Sequence, residues 1–196
     1  SPIQSGVAST SSSSDFTVKI DVPNLTAGTT YYYRFSSSNN VVSPIGETKT
    51  LPEGSVNSLT LAVCSCANYP AGYFNVYNKI AESNADIVLH LGDYIYEYGV
   101  GEYGTTANTV DQNRNHSPSK ETWTLADYRQ RYAQYRQDSM LQAAHQAKPF
   151  ICVWDDHELA NDSYKDGAEN HTEGDEGLFT ERRAAAFQAY HEWLPI

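Results

Sequence analysis

Hydrophobic and polar positions change their period once along this chain, near residue 58. Before it, apolar side chains recur every second position: Phe16, Val18, Ile20 and Val22 alternate with polar neighbours and predict a strand over 16–22. Pro23-Asn24 and Ala27-Gly28 mark turns, the Tyr-rich run 30–35 predicts a second strand, and 48–52 a third. Beyond residue 58 short apolar runs alternate with helical spacing. Strands are predicted over 59–65, 86–91 and 150–154. Phe74, Tyr77, Ile80 and Ala81 mark one helix, Leu125, Tyr128, Tyr132 and Tyr135 another, and further helices are expected near 140–147 and over 181–194. Strand–helix alternation is the signature of a parallel α/β sheet. The predicted organisation is an all-β unit over 1–52, a linker over 53–57 and an α/β unit over 58–196. Residues 97–120, rich in Gly, Tyr, Thr and Asn, are too long for an ordinary connection and read as a functional or lid-like loop.

Composition narrows the function classes. With 24 acidic against 13 basic residues and a net charge of -11, the chain is a poor candidate for gripping a nucleic-acid backbone, which needs clustered Lys and Arg. The balance suits a protein that gathers hard cations. No run of about 18 apolar residues is present, so no transmembrane segment is expected. Three cysteines, Cys64, Cys66 and Cys152, leave at least one thiol outside any disulfide. The chain begins at Ser1 without a basic and apolar leader, so a signal peptide is expected to have been removed or not included.

In open α/β sheets ligands bind beyond the carboxyl ends of the strands. Cys66 follows the first predicted strand of the α/β unit, Asp93 the second, and Asp155, Asp156 and His157 the third. One rim thus receives a thiol, carboxylates and an imidazole. Carboxylates suit hard cations, whereas thiolate and phenolate suit a transition metal, so the set points to a mixed-metal site. Asp93 and Tyr96 would project together if one helical turn followed Gly92. His157, beside a metal-bound carboxylate, would be placed to protonate a leaving oxygen.

The order Ser65-Cys66, then Leu89 to Glu97 with Gly92-Asp93 and Tyr96, then Trp154-Asp155-Asp156-His157-Glu158 resembles the PhoD-like alkaline phosphatase and phosphodiesterase family of the calcineurin-like metallophosphoesterases. That resemblance implies a layered metallophosphoesterase α/β catalytic domain, here in part, preceded by a partial fibronectin type III-like domain. The Gly28-Thr29-Thr30 turn with the tyrosines after it resembles the corner that a tyrosine pins in such sandwiches. It further implies hydrolysis of phosphate mono- or diesters by a metal-bound hydroxide. Cys66, Asp93 and Tyr96 would bind Fe3+, with Asp93 bridging to Ca2+. Asp156 would hold the second metal, Asn161 would be a weaker candidate for the same shell, and His157 would be catalytic. Secretion or a periplasmic location is implied as well. The superfamily completes its site with later Gly-His motifs, and none follows Glu158 here, so the chain is expected to be a piece of a larger protein.

Plainer readings cover the remaining candidates. Cys64 and Cys152 read as small buried hydrophobes. The five other histidines read as surface or core residues, with His90 in position to hydrogen-bond behind the site. Arg129, Arg131 and Arg136 read as the solvated side of a helix, and the acidic stretch 162–176 as a solvated loop. A rival to the enzyme is a non-catalytic extracellular calcium-binding module. A redox role for Cys64 and Cys66 is disfavoured, because alternate strand positions rarely reach disulfide geometry.

Overall fold

The computed structural model describes residues 2–105 and 113–196; the middle of the predicted 97–120 loop therefore lies outside the described residues. The elements are β1 (Thr30–Tyr33), β2 (Gly46–Lys49), β3 (Leu61–Cys64), α1 (Asn75–Glu82), β4 (Ile87–His90), α2 (Leu125–Arg136), α3 (Ser139–Ala147), β5 (Phe150–Cys152), α4 (Glu173–Glu176) and α5 (Phe179–Trp193). The architecture is mixed α/β. β1 and β2 pair antiparallel, and β3-β4-β5 form a parallel sheet with β4 in the centre.

The parallel sheet dictates where the chemistry falls. β4 is rich in β-branched and aliphatic residues, which fit a pleated surface, and Val88 is fully buried beneath the helices. α1 lays Tyr77 and Ile80 onto this sheet, and α3 adds Leu141 and Ala144. α2 starts from a capping box in which Thr124 accepts from the Asp127 N–H while Asp127 accepts from Thr124. Ala186 and Ala189 on α5 are buried small residues, and α2 and α5 pack together. Much of the core is tyrosine: Tyr94, Tyr128, Tyr132 and Tyr135 are fully buried. Buried phenols seek partners. Tyr128 donates to the Leu159 carbonyl at 2.6 Å, and Tyr135 accepts from the Tyr69 N–H at 3.0 Å.

The helices cover one face of the sheet only. On the other, Leu61, Val63, Ile151 and Val153 remain between 42% and 57% exposed, whereas parallel sheets are ordinarily covered on both faces.

Three expectations need correcting. The alternating segment 16–22 forms no strand: it has no ladder partner among the described residues, and Phe16, Val18, Ile20 and Val22 stay exposed. The last strand of the N-terminal unit is β2 at Gly46–Lys49 rather than 48–52, because residues 50–51 close a corner. There the Gly28 N–H donates to the Leu51 carbonyl and Thr50 donates to the Thr26 carbonyl. Thirdly, the arginines of α2 are not a solvated face. Arg129 pairs with Glu192 at 2.6 Å, Arg131 is fully buried, and Arg136 donates to the Tyr94 hydroxyl.

Among the described residues no helix is long and apolar enough to cross a membrane.

Candidate metal centre

Past the strand ends the backbone continues the ladder for one more step. The Cys66 N–H donates to the Gly92 carbonyl and the Ala67 N–H to that of Asp93, which brings the turns after β3 and β4 side by side. Both turns are sharp: Cys66 and Asp93 have φ of 61° and 53°, in the left-handed region. Gly92, at φ 108°, could not be replaced cheaply, because a Cβ there would lie 2.5 Å from the Asp155 Cβ and backbone N. The turn after β5 thus sits directly on the turn after β4.

Glu158 fastens the two turns together. Its buried carboxylate accepts from the Asp93 N–H at 3.0 Å, the Tyr94 N–H at 2.5 Å and the Asp155 N–H at 2.8 Å. Burial outweighs these bonds and pushes the Glu158 carboxyl up to about 7.

On this platform Asp93, Asp156 and His157 each present a ligand atom within 4.8 Å of one another, a group that could hold a metal ion. Asp93 is buried, and its Oδ1 has no hydrogen-bond partner. Its Oδ2 accepts from the Tyr96 hydroxyl at 3.2 Å. Burial raises the Asp93 carboxyl above the ordinary range despite the nearby imidazole. A buried carboxylate oxygen without a donor is costly, and a cation is the partner this donor set fits. The exposed Cys66 thiol donates to the Ser65 hydroxyl at 3.3 Å and stands outside the three-residue group. Burial, with Asp93 and Cys66 adding to it, pushes the Tyr96 phenol well above its usual range in the absence of a cation. No helical turn follows Gly92; the left-handed Asp93 instead swings its carboxylate towards Tyr96.

His157 is buried and donates from Nδ1 to Glu97 Oε2 at 2.8 Å. Desolvation lowers its pKa, but Glu97, Asp156 and Asp93 together raise it above the ordinary imidazole value. Glu97 is fully buried, and its other oxygen accepts from the Asn161 N–H and from Asn170 Nδ2, both at 2.7 Å. The rings of Tyr96, Tyr98 and Tyr103 surround His157, the first at 4.2 Å between centroids.

The remaining sequence candidates fall into place around this core. Asp156 accepts from the Asp162 N–H at 2.5 Å, which folds the following loop over the site. The Asn161 side chain donates to Glu169 and stands outside the three-residue group. His90 is fully buried behind the site and bonded to the Tyr77 hydroxyl at 2.8 Å. Glu97 and Glu158 belong to the motifs read from sequence, yet neither carried a role there. Their partners, His157 for Glu97 and the Asp93 turn for Glu158, lie some sixty residues away, and no local spacing announces such a pairing.

Comparison with known proteins gives one consistent answer. A family profile described as PhoD-like phosphatase matches residues 61–196, and one described as PhoD-like phosphatase, N-terminal domain, matches residues 2–52. Alkaline phosphatase D of Bacillus subtilis (strain 168) is 44% identical over 181 residues, which cover 91% of this chain and 30% of the relative. A solved structure of PhoD superposes with a TM-score of 0.77 at 44% identity, covering 86% of this chain and 31% of that one. The chain therefore spans just under a third of the length of the proteins it matches.

Proposed function

The chain belongs to the PhoD-like phosphatase family, and from that premise we propose that it carries part of the metal centre of a phosphoric ester hydrolase acting on phosphate mono- or diesters. The observation that carries this reading is the convergence of Asp93, Asp156 and His157, with the Asp93 Oδ1 left unpartnered in a buried setting.

The donor set supports two kinds of cation. Cys66, Asp93 and Tyr96 would supply thiolate, carboxylate and phenolate, a set suited to Fe3+, and the carboxylates of Asp93 and Asp156 would suit Ca2+. Bound there, the cations would supply Lewis acidity and offset the negative charge of the phosphoryl oxygens. The protein's own groups supply the rest. Glu97 holds the imidazole with its proton on Nδ1, which leaves Nε2 to hold or deliver the proton that a leaving alkoxide needs. The raised affinity of His157 for that proton favours the acid form. The rings of Tyr96, Tyr98 and Tyr103 pack around the imidazole.

The same reading extends to organisation. Residues 1–52 would be a fibronectin type III-like unit, 53–57 a linker and 58–196 the catalytic unit. A tyrosine bond supports the first assignment: the Thr26 N–H donates to the Tyr31 hydroxyl at 2.8 Å, the type of contact that pins a sandwich corner. A secreted or periplasmic location agrees with the family and with the acidic, Tyr-rich composition.

Asp93→Asn tests the function. In the full-length protein it should abolish metal content by elemental analysis and hydrolysis of a nitrophenyl phosphate ester; unchanged turnover refutes the assignment. Calcium without iron in the wild-type protein would overturn the Fe3+ site.

A further inference from the structure

Arg131 is a buried cation with no carboxylate in bonding range among the described residues. Burying a guanidinium is costly, and the ordinary remedy is a carboxylate partner. Arg182, equally buried, has that remedy in Glu121 at 2.6 Å and Glu176 at 2.9 Å. Arg131 instead spends its donors on main-chain carbonyls. Nη1 donates to Tyr96, Nε to Ser117 at 3.2 Å, and Nη2 to Pro118 at 3.0 Å and Lys120 at 3.3 Å.

Those four carbonyls come from two separate segments. One is the turn after β4 that carries Asp93 and Tyr96; the other is the stretch 117–120. The two segments are also bonded directly, with the Val100 N–H donating to Ser119 and the Thr122 N–H to Glu97. Arg131 thus sits where the metal turn and the end of the long loop meet. It is anchored on α2, a helix fixed by its capping box and by the neighbouring core residues Tyr128, Tyr132 and Tyr135.

We infer that Arg131 is a positioning residue of the metal centre, holding the Tyr96 carbonyl and the 117–120 stretch in one register so that the Tyr96 phenol stays on Asp93. The inference rests on the proposed metal site. A guanidinium suits the task because its planar fork aims several donors in fixed directions, whereas an ammonium is a single point that serves one segment or the other. Residues that orient metal ligands from behind commonly change metal affinity about 10- to 100-fold when replaced.

The test uses Tb3+, a hard cation whose emission is sensitised by a nearby tyrosine, and requires no turnover. In Arg131→Lys the charge is kept and the fork is lost. The expected result is roughly tenfold weaker Tb3+ binding and lower emission at saturation, with cooperative thermal unfolding preserved. Wild-type affinity and emission in this variant overturn the inference. Global unfolding of Arg131→Lys overturns it too, since Arg131 would then serve the fold as a whole. Asp93→Asn is the control that separates the two levels. If it retains Tb3+ binding, the metal site itself is wrongly placed; if it loses binding while Arg131→Lys does not, only the role of Arg131 falls.

Discussion

Replacing Glu97 with Gln removes one charge and almost no volume from the pair that it forms with His157. In the wild-type protein the fully buried carboxylate accepts three hydrogen bonds, from His157 Nδ1, the Asn161 N–H and Asn170 Nδ2. The amide oxygen of Gln can keep the two asparagine bonds, but its NH2 group would face Nδ1 and force the other tautomer or leave a protonated ring unpaired. Removing one partner of a buried ion pair costs roughly 3–5 kcal/mol, and because Gln keeps two of the three bonds we expect about 3 kcal/mol where His157 is protonated. The sign with pH follows from the raised pKa of His157, set by desolvation against the stronger pull of Glu97, Asp156 and Asp93. Stability from such a group is fully present below the unfolded imidazole pKa and is lost as pH rises through the folded one. The difference between wild type and variant should therefore be largest near pH 5.5 and shrink to about 1 kcal/mol, the worth of one ordinary hydrogen bond, near pH 9. Urea unfolding of metal-free protein at the two pH values measures it, and ring-proton NMR of His157 follows the titration directly. A difference that is equal at both pH values, or a His157 titration that does not move down in the variant, would refute the reasoning.

Other substitutions address different parts of the site. Tyr96→Phe removes a hydroxyl that bonds within the centre, to Asp93, so the fold should persist while any visible tyrosinate-to-iron absorbance of the metal-loaded protein disappears. Gly92→Ala combines φ 108° with a 2.5 Å clash against Asp155 and should lower stability by about 3 kcal/mol in chemical denaturation, with loss of metal binding. Ile151→Lys, at a half-exposed position on the open face of the sheet, should change stability by no more than about 0.5 kcal/mol while reducing the fluorescence of a bound hydrophobic dye.

Among the described residues, periodicity was enough to find every α-helix and strand of the α/β unit except the single-turn α4, because each buries one face on a common core. It failed over 16–22 for the same reason in reverse. Alternation records a suitability for a sheet, and among the described residues no partner strand lies beside this segment. Strand-end topology also brought Cys66, Asp93, Tyr96, Asp156 and His157 to one rim, since a parallel sheet delivers all its carboxyl ends together. The supports of the site were less legible. Arg131 lies three residues after Tyr128 and four before Tyr135, on the buried face of α2; its charge argued for solvent, and the carbonyls of Ser117, Pro118 and Lys120 that receive it come from outside the helix. Glu97 and Glu158 act across three-dimensional contacts that leave no local trace.

The carboxylate of Glu158 and the missing side chain of Gly92 make the two turns a single rigid piece. Anyone transplanting this centre into another scaffold, or recombining it between relatives, would have to move residues 92–97 and 154–158 as one cassette. Exchanging either half alone would leave the Asp93 and Tyr94 N–H donors facing a foreign turn, and the loss would register in the turn that had not been touched.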